Sequence, residues 1–346
     1  MQKNVYFETL GTASLNQLVQ NGNYSKIIVL VDENTHEKCL DKFMERTPFT
    51  IDGIITIKPG EEHKNITTCN MVWQSLADFG CDRKSLLINL GGGVVTDLGG
   101  FTASTFKRGM DFVNVPTTLL SMVDAAIGGK TGIDFGVLKN QIGTITQPKL
   151  VLILQTFLET LEKRQFVSGY AEMLKHGLIA KHAHWETLKQ KQLEIDADDI
   201  EASSQVKVGI VEQDPYEMGV RKKLNFGHTL GHAIESYYLE HLTKPTLLHG
   251  EAIAAGMILE GYLSHKVSGL SKVSLDEINK VVSAHFDKID FEKDEIPIFI
   301  DLMKHDKKNT HGNINFVLLR EIGNAVIDCK VSEKEIQEAF SYYMDR

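Results

Sequence analysis

The sequence has few cysteines and lacks the long apolar segments that membrane insertion requires. No run approaches the roughly 18 apolar residues of a membrane-spanning helix, and the N-terminal segment MQKNVYFETLGTASLNQL has no apolar core like that of a secretory signal. Paired cysteine spacing is also missing, which favours reduced thiols at Cys39, Cys69, Cys81 and Cys329. We therefore expect a cytoplasmic protein without a membrane partner.

The chain also lacks an excess of positive charge. Its net charge of −9 argues against a surface for binding nucleic acid, so no nucleic-acid partner is expected. Hydrophobic residues make up 42% and charged residues 24%, which are ordinary values for a globular protein. With 346 residues, the chain has room for one large or two ordinary domains.

Hydrophobic patterning divides the chain into two parts. The first alternates β-branched runs at 26–35, 54–65, 85–90, 112–116 and 149–154 with helix-like segments such as 71–80, which predicts a mostly parallel α/β sheet. The second is mainly helical, with amphipathic stretches at 159–205, 224–267, 276–286 and 332–344 and a small hairpin around Gly323. We predict an α/β domain over 1–160 and a helical domain over 161–346.

Two familiar nucleotide-binding fingerprints are absent. LINLGGGVVTDLGG departs from G-x-G-x-x-G, although its glycines lie where a strand should turn into a helix and approach a pyrophosphate. The alternative is a tight turn with close packing. Asp97 would repel phosphate there, which indicates a role toward a ribose, substrate or metal. VDAAIGGKTG is not a P-loop either, because Asp124 occupies the position of the first Walker glycine.

Cations cluster near glycine turns in the first part. Lys130, Lys139 and Asn140 lie in what we predict is a glycine-rich, loop-like region, and Arg108 precedes it. Such a set suits an anionic small molecule. The alternative for each lysine alone is a solvated surface position.

Histidines dominate the segment NFGHTLGHAIESYYLEHLTKPTLLHGE. His228 and His232 are four residues apart on one predicted helix face, a spacing that suits a shared metal or substrate, and His249 follows. Upstream, Glu172 in GYAEMLKHG is the type of residue that completes a His-His-Glu set. For Glu172 and Lys175, with His176 beside them, the alternative is an i, i+3 ion pair.

Other polar residues near the histidines have open interpretations. Asp214, Glu217, Arg221 and Asn225 directly precede His228, and arginine suits a bidentate grip on carboxylate or phosphate. The alternative is a charged connection. His182 and His184 are predicted to be surface residues.

Eight motifs in order resemble the 3-dehydroquinate synthase family of the sugar phosphate cyclase superfamily. Between Asp32 and Lys308 they are PGEEHK, GGGVVTDL, TFKRG, VPTTLLSMVDAAIGGKTG, KNQIG, YAEMLKHG, LNFGHTLGHAIE and LHGEA. The resemblance implies a Rossmann-like NAD-binding domain, a helical metal-binding domain and a homodimer. It implies conversion of 3-deoxy-D-arabino-heptulosonate 7-phosphate (DAHP) to 3-dehydroquinate and phosphate, in the shikimate pathway of aromatic amino acid biosynthesis. Transient oxidation by NAD, phosphate elimination, re-reduction and aldol cyclisation are the implied steps.

The resemblance also assigns roles by motif. For NAD it implies Asp32, Asn34, Glu61, Lys64, Gly92, Gly93, Val94, Asp97, Thr117, Thr118 and Thr160. For zinc or cobalt it implies Glu172, His228 and His249, which leaves His232 for proton transfer. For substrate binding and catalysis it implies Asp124, Lys130, Lys139, Asn140, Lys175, Lys207, Glu217, Arg221, Asn225 and either Lys307 or Lys308. Arg108 matches an arginine that reaches the partner subunit's site.

Departures and rival functions remain. Thr96 is bulkier than the small residue expected in the glycine turn, and the residue directly before Lys139 is leucine where the family usually has glycine. Rival functions are another sugar phosphate cyclase, a metal-dependent polyol or glycerol phosphate dehydrogenase, and a metal-binding scaffold without activity. The matched set of substrate residues favours the synthase.

Overall fold

The computed structural model describes residues 4–136, 138–241, 244–304 and 314–346. The chain separates into two compact units, the first ending at Phe166 and the second beginning at Val167. The assignment of NAD binding to a domain over 1–160, and of metal and substrate binding to one over 161–346, stays a prediction.

A parallel sheet forms the centre of the first unit. Among the described residues this unit contains the strands β1 (Val5–Phe7), β2 (Ile27–Asp32), β3 (Gly53–Ile57), β4 (Leu86–Gly91), β5 (Asp111–Pro116), β6 (Lys130–Phe135), β7 (Leu138–Ile145) and β8 (Leu150–Ile153). Six of them pair in the order β1-β8-β5-β4-β2-β3, and every pairing is parallel. The apolar runs of β2 and β4 are buried almost throughout, as strands covered on both faces must be. The predicted parallel α/β sheet is confirmed, although β1 was missed.

Helices and short turns connect these strands. The helices are α1 (Glu8–Gly22), α2 (Glu33–Lys38), α3 (Leu40–Met44), α4 (Ile66–Asp78) and α5 (Gly93–Thr105), with single turns at Glu61–His63, Phe106–Arg108, Ser121–Ala125 and Gln155–Thr160. The apolar face of α4, with Val72 and Leu76, is buried in one core with Ile55 and Ile57 of β3. This packing explains why the helical spacing was readable from the sequence.

The strands β6 and β7 correct one prediction. Lys130, Lys139 and Asn140 were expected in a loop-like region, but they lie in the antiparallel strands β6 and β7, where Lys130 lies opposite Ile145. The Thr131 and Thr144 hydroxyls hydrogen-bond across the pair at 2.8 Å. Such cross-strand threonine pairs stabilise a sheet, and they outweigh the loop character that the glycines imply.

The glycine run forms the expected strand-to-helix turn. Strand β4 ends at Gly91, Gly92 is the N-cap, and α5 begins at Gly93. A β-carbon at Gly92 would lie 3.1 Å from Thr118 Cγ2, so a larger residue would press on that side chain. The Thr96 hydroxyl donates a hydrogen bond to the Gly93 carbonyl at 3.2 Å, and the branched residue is accommodated inside the first turn of α5.

The second unit is mainly helical. Its described elements are α6 (Lys163–Ala180), which begins in the first unit, α7 (His182–Lys191), α8 (Ala197–Gln213), α9 (His228–Glu240), α10 (His249–Leu263), α11 (Lys272–Ser283), α12 (Ile296–Lys304) and α13 (Glu333–Asp345). Short turns occupy Val220–Asn225, Ser264–Ser268 and Lys293–Glu295, and β9 (Asn315–Glu321) pairs with β10 (Asn324–Lys330). The helical character and the hairpin around Gly323 are confirmed, and α12 was missed.

Helices α9 and α10 approach each other at backbone contact. A β-carbon at Gly256 of α10 would lie 1.9 Å from the Gly227 carbonyl oxygen, so only glycine permits this contact. The Glu260 carboxylate, fully buried on α10, accepts hydrogen bonds from the backbone N–H groups of Gly227 at 2.6 Å and Leu230 at 3.1 Å. Because the N-cap Gly227 has no side chain, Glu260 caps α9 from the neighbouring helix.

Within the described residues, no helix has both the length and the apolar character that spanning a bilayer requires.

The two histidines that open α7 differ in burial. His182 is exposed, as predicted, but the prediction that His184 is a surface residue is wrong, because only 4% of it is exposed. Within the described part of the chain, its Nε2 has no hydrogen-bond partner. Burial and the nearby charge of His176 lower the pKa of His184 to about 4, with Lys181 acting in the same direction and Asp199 opposing them.

This burial predicts a pH-dependent contribution to stability. The unfolded chain binds a proton at His184 below pH of about 6.5, whereas the folded chain keeps it neutral down to about pH 4. Stability therefore falls as the pH falls through this window, by up to about 1.4 kcal/mol per pH unit. Replacing His184 with leucine should remove this dependence of stability on pH. Between pH 7 and pH 5, the urea midpoint of His184→Leu should therefore fall less than that of the parent. His182→Leu is the control, and parallel curves for parent and His184→Leu would contradict the prediction.

Candidate active site

The residues predicted to bind NAD lie where neighbouring strands end. Asp32 is the last residue of β2, Gly92 follows β4, and Thr117 follows β5. Since β5, β4, β2 and β3 are adjacent and parallel, these positions share one edge of the sheet. Glu61 lies a few residues after β3. Ligands of open parallel sheets bind outside the carboxyl ends of the strands, so this edge is where a dinucleotide would fit.

Asp32 and Thr160 are linked through Cys39. Burial and the negative charge of Asp32 raise the pKa of the Cys39 thiol to about 11. Nearby lysines and a hydrogen bond with Thr160 act in the opposite direction and lower that pKa. The Asp32 carboxylate also caps α2, accepting from the Thr35 backbone N–H at 2.7 Å. Asn34 lies exposed in that helix. Thr160 therefore lies near Asp32 although the two are far apart in sequence.

Lys64 is the centre of a charged cluster. Its buried ammonium donates to Asp97 Oδ2 and to Asn140 Oδ1, both at 2.6 Å. Burial lowers the pKa of Lys64, but the charges of Asp97 and Glu61 outweigh it and hold that pKa above its ordinary value. Lys139 Nζ lies 3.8 Å from Glu61 Oε1. The cluster joins residues predicted for NAD with two predicted for substrate.

Asn140 is held in an unusual backbone conformation. Its φ of +53° lies in the left-handed region, and its backbone N–H donates to Asp134 Oδ1 at 2.6 Å. Burial raises the pKa of Asp134, with this hydrogen bond opposing the shift. The Asp134 carboxylate therefore fixes the strand segment that carries Lys139 and Asn140.

Three other predicted residues of the first unit belong to different elements. Lys130 is at the far end of the β6–β7 pair, on the order of 15 Å along the strand from Asn140. Asp124 is half-buried in the π-helical turn Ser121–Ala125. Arg108 is exposed. Both it and the preceding Lys107 have a positive φ, of +67° at Arg108 and +48° at Lys107.

In the second unit, Glu172 is the point on which two histidines converge. Its Oε1 lies 3.6 Å from His228 Nε2 and 3.6 Å from His249 Nε2, and Lys175 forms an ion pair with its Oε2. Glu172 and Lys175 are almost completely buried. The His232 ring centroid lies 5.0 Å from that of His228 and 5.7 Å from that of His249.

Both histidines that face Glu172 are held from behind. His228 Nδ1 lies 3.1 Å from the Phe226 carbonyl oxygen, and His249 Nδ1 lies 3.4 Å from Glu235 Oε2. Burial lowers the pKa of His249, but the charge of Glu235 and a hydrogen bond with Glu172 outweigh it and raise that pKa to about 9. The arrangement points both Nε2 atoms toward the same carboxylate.

These residues fit a divalent metal. One carboxylate oxygen and two imidazole nitrogens converge, and one ring nitrogen each from His228, His232 and His249 lie within 4.8 Å of one another. Two histidines and a glutamate form a ligand set typical of catalytic metal sites that keep an open position. Proximity alone admits His232 as a ligand as well, so the assignment of Glu172, His228 and His249 stays a prediction.

The segment before α9 is a structured loop. Asp214 accepts from the backbone N–H groups of Gly219 at 2.7 Å and Arg221 at 3.0 Å, and these bonds lower its pKa against the effect of burial. Asn225 Nδ2 donates to Glu217 Oε1 at 2.7 Å. The buried Arg221 guanidinium donates to the Pro215 carbonyl at 2.6 Å. Lys207, also buried, lies on α8, which packs against the turn Val220–Asn225.

Sequence analysis missed two acidic residues, Glu235 and Glu260. Each is a single acid in an otherwise apolar stretch of its helix, and each is buried. That pattern was the available signal, because a buried carboxylate needs a partner. The predicted substrate lysines Lys307 and Lys308 lie outside the described residues.

Comparisons with known proteins agree on one family. A family model described as 3-dehydroquinate synthase N-terminal matches residues 54–168, and one described as 3-dehydroquinate synthase C-terminal matches residues 169–309. The 3-dehydroquinate synthase of Parabacteroides distasonis is 40% identical over 340 residues, covering 96% of this chain and 95% of the relative. That of Pelobacter propionicus is 43% identical and covers 79% and 77%.

A solved structure extends the comparison. The 2-epi-5-epi-valiolone synthase of Streptomyces hygroscopicus, with NAD⁺ and Zn²⁺ bound, aligns with a TM-score of 0.85 at 25% identity, covering 100% of this chain and 98% of that one. The fold is therefore that of the sugar phosphate cyclases, and the two curated relatives named above are both 3-dehydroquinate synthases. The chain belongs to the 3-dehydroquinate synthase family.

Proposed function

We propose that this protein is a 3-dehydroquinate synthase, a phosphorus–oxygen lyase that converts DAHP to 3-dehydroquinate and phosphate. The observation that carries the proposal is the convergence of His228 and His249 on buried Glu172, beside Lys175 and His232, in a chain of this family. This set supplies metal ligands, an ammonium and an imidazole for proton transfer in one place.

The first unit binds NAD in this proposal. The contacts come from residues at the carboxyl edge of the sheet and in the Lys64 cluster, namely Asp32, Asn34, Glu61, Lys64, Gly92, Gly93, Val94, Asp97, Thr117, Thr118 and Thr160. Bound there, NAD would supply reversible hydride transfer at C5, the substrate carbon that carries the hydroxyl to be oxidised. The start of α5 after Gly92 offers backbone N–H groups to the pyrophosphate.

The second unit holds a divalent metal, zinc or cobalt, at Glu172, His228 and His249. When bound, such an ion lowers the cost of ionising a substrate hydroxyl. Lys175 balances the charge of Glu172, and its ammonium lies beside that carboxylate. His232 moves a proton near the leaving phosphate, which general acid–base catalysis by imidazole makes possible at neutral pH.

The substrate is an acid phosphate, and its two anionic groups need fixed cations. We assign substrate binding or catalysis to Asp124, Lys130, Lys139, Asn140, Lys175, Lys207, Glu217, Arg221, Asn225 and one of Lys307 and Lys308, and the cations among them are the lysines and Arg221. Asn225 is hydrogen-bonded to Glu217, and Asn140 to Lys64. These bonds fix both side chains before the substrate binds, which supports their assignment.

Rival functions differ in substrate or in net reaction. Another sugar phosphate cyclase is less supported, because its named example is 25% identical whereas the Parabacteroides synthase is 40% identical. A polyol or glycerol phosphate dehydrogenase would use the same cofactor with net oxidation. The cations Lys130, Lys207 and Arg221 favour a carboxylate-bearing substrate.

We also propose a homodimer in the cytoplasm. The exposed Arg108, on its turn of positive φ, is free to reach a partner subunit, and the four cysteines are free thiols that a reducing compartment maintains. Sedimentation of the purified protein should give twice the mass of 38.7 kDa, and a single-chain mass would contradict the dimer.

The reaction predicts a specific balance of products. Purified protein with DAHP, NAD⁺ and Zn²⁺ or Co²⁺ should release phosphate with no net NADH, because each hydride returns to the substrate. Phosphate assays and absorbance at the NADH wavelength measure both. NADH accumulating in step with product would favour the dehydrogenase, and a phosphorylated sugar without a carboxylate turning over faster than DAHP would favour another cyclase.

The two histidine roles predict different losses. His249→Ala should lose retained metal together with turnover, because one of three ligands is gone. His232→Ala should keep the metal and lose turnover about 10²- to 10⁴-fold, as removal of a general acid–base group does. Metal content after gel filtration and kcat are the measurements. Loss of metal in His232→Ala would show that the division of roles is wrong.

A further inference from the structure

Glu235 lies among the histidines without a role in the function proposed above. It follows His232 by three residues and His228 by seven, so the three share one face of α9. Only 4% of Glu235 is exposed, and its Oε2 lies 3.4 Å from His249 Nδ1. A buried carboxylate at this distance from an imidazole nitrogen acts on the ring that it faces.

The two rings that face Glu172 are anchored by different acceptors. A neutral imidazole that donates through Nδ1 keeps its lone pair on Nε2, the atom that each ring directs at Glu172. For His228 the Nδ1 acceptor is the neutral Phe226 carbonyl, whereas for His249 it is the charged Glu235 carboxylate. The same tautomer is therefore set in two ways, by a neutral carbonyl behind His228 and by a charged carboxylate behind His249.

The backbone of His249 is fixed independently of Glu235. The next residue, Gly250, donates its N–H to Ser168 Oγ at 2.9 Å, and Glu251 accepts from the Leu248 N–H at 2.7 Å. Those bonds position the start of α10 but leave rotation of the imidazole undetermined. On the Nδ1 side of the His249 ring, the contact is with the Glu235 carboxylate.

We propose that Glu235 is a positioning residue for His249: it holds the ring with Nδ1 protonated and makes Nε2 a stronger donor toward a divalent metal. Carboxylates behind ligating histidines raise ligand basicity, and their loss typically weakens metal affinity about 10- to 100-fold. The inference rests on the proposed function in one respect, that Glu172, His228 and His249 hold a metal.

The test compares metal binding by full-length Glu235→Gln and Glu235→Ala proteins with that of the parent. Zn²⁺ affinity is measured by competition with a chromophoric chelator, and Co²⁺-loaded protein gives a visible absorption spectrum. Glu235→Ala should bind Zn²⁺ about 10- to 100-fold more weakly than the parent. Glu235→Gln should fall in between, because an amide oxygen still accepts from Nδ1 but carries no charge. Its Co²⁺ bands should shift less than those of Glu235→Ala.

Glu251→Gln is the matched control. It removes the same charge two residues from His249, and the amide oxygen still accepts from the Leu248 N–H. Its Zn²⁺ affinity should stay within about threefold of that of the parent, since the Glu251 carboxylate bonds the Leu248 backbone N–H. If Glu251→Gln weakens binding as much as Glu235→Gln, the effect is one of net charge and the proposal is overturned.

Two further outcomes are decisive. If Glu235→Ala does not fold, as judged by circular dichroism, the isosteric Glu235→Gln decides on affinity and spectrum alone. If both variants bind Zn²⁺ within threefold of the parent, Glu235 does not position His249, and the proposed synthase function is unaffected. If the parent itself retains neither Zn²⁺ nor Co²⁺, the proposed metal site fails and this inference fails with it.

Discussion

The close contact of α9 and α10 is the constraint on which the convergence of His228 and His249 on Glu172 depends. His228 is the first residue of α9 and His249 the first residue of α10, so the two rings meet only if the helices pack closely. Glycine at Gly256 permits that approach, and the Glu260 carboxylate ties the start of α9 to α10 through two backbone hydrogen bonds. Both helices thereby place their positive N-terminal ends at the same site.

Burial of Glu172 is the energetic cost of this arrangement. A fully buried carboxylate is strongly unfavourable unless opposite charge and hydrogen bonds compensate it. Lys175, one helical turn later, supplies that charge, and the Nε2 atoms of His228 and His249 each lie 3.6 Å from Glu172 Oε1. Glu172, Lys175 and the two imidazoles therefore depend on one another, because the loss of one leaves another buried polar group uncompensated in an apolar surrounding. Such interdependence keeps the site in one geometry before any ligand binds.

The sequence predicted those features that depend on local patterns. The buried runs of β2 and β4, the glycine turn before α5 and the i, i+4 pair of His228 and His232 were all readable from spacing. Features that depend on distant partners were not. Glu235 and Glu260 matter through residues on another helix, and His184 is buried by tertiary packing that no local pattern records. The β6–β7 pair was missed because glycine in a strand has the same local signature as glycine in a loop.

Proximity alone does not assign different roles to His228, His232 and His249, since their ring centroids lie within 5.7 Å of one another. What distinguishes two of them is the atom that each directs at Glu172 and the acceptor behind it. His228 and His249 both direct Nε2 at the carboxylate with Nδ1 held, which is how a ligating imidazole is prepared. A catalytic metal keeps one position open for substrate, so a third ligating histidine would fill the place that the reaction needs. With the metal held by Glu172, His228 and His249 as proposed, an imidazole beside the open position can move a proton, which is the task proposed for His232.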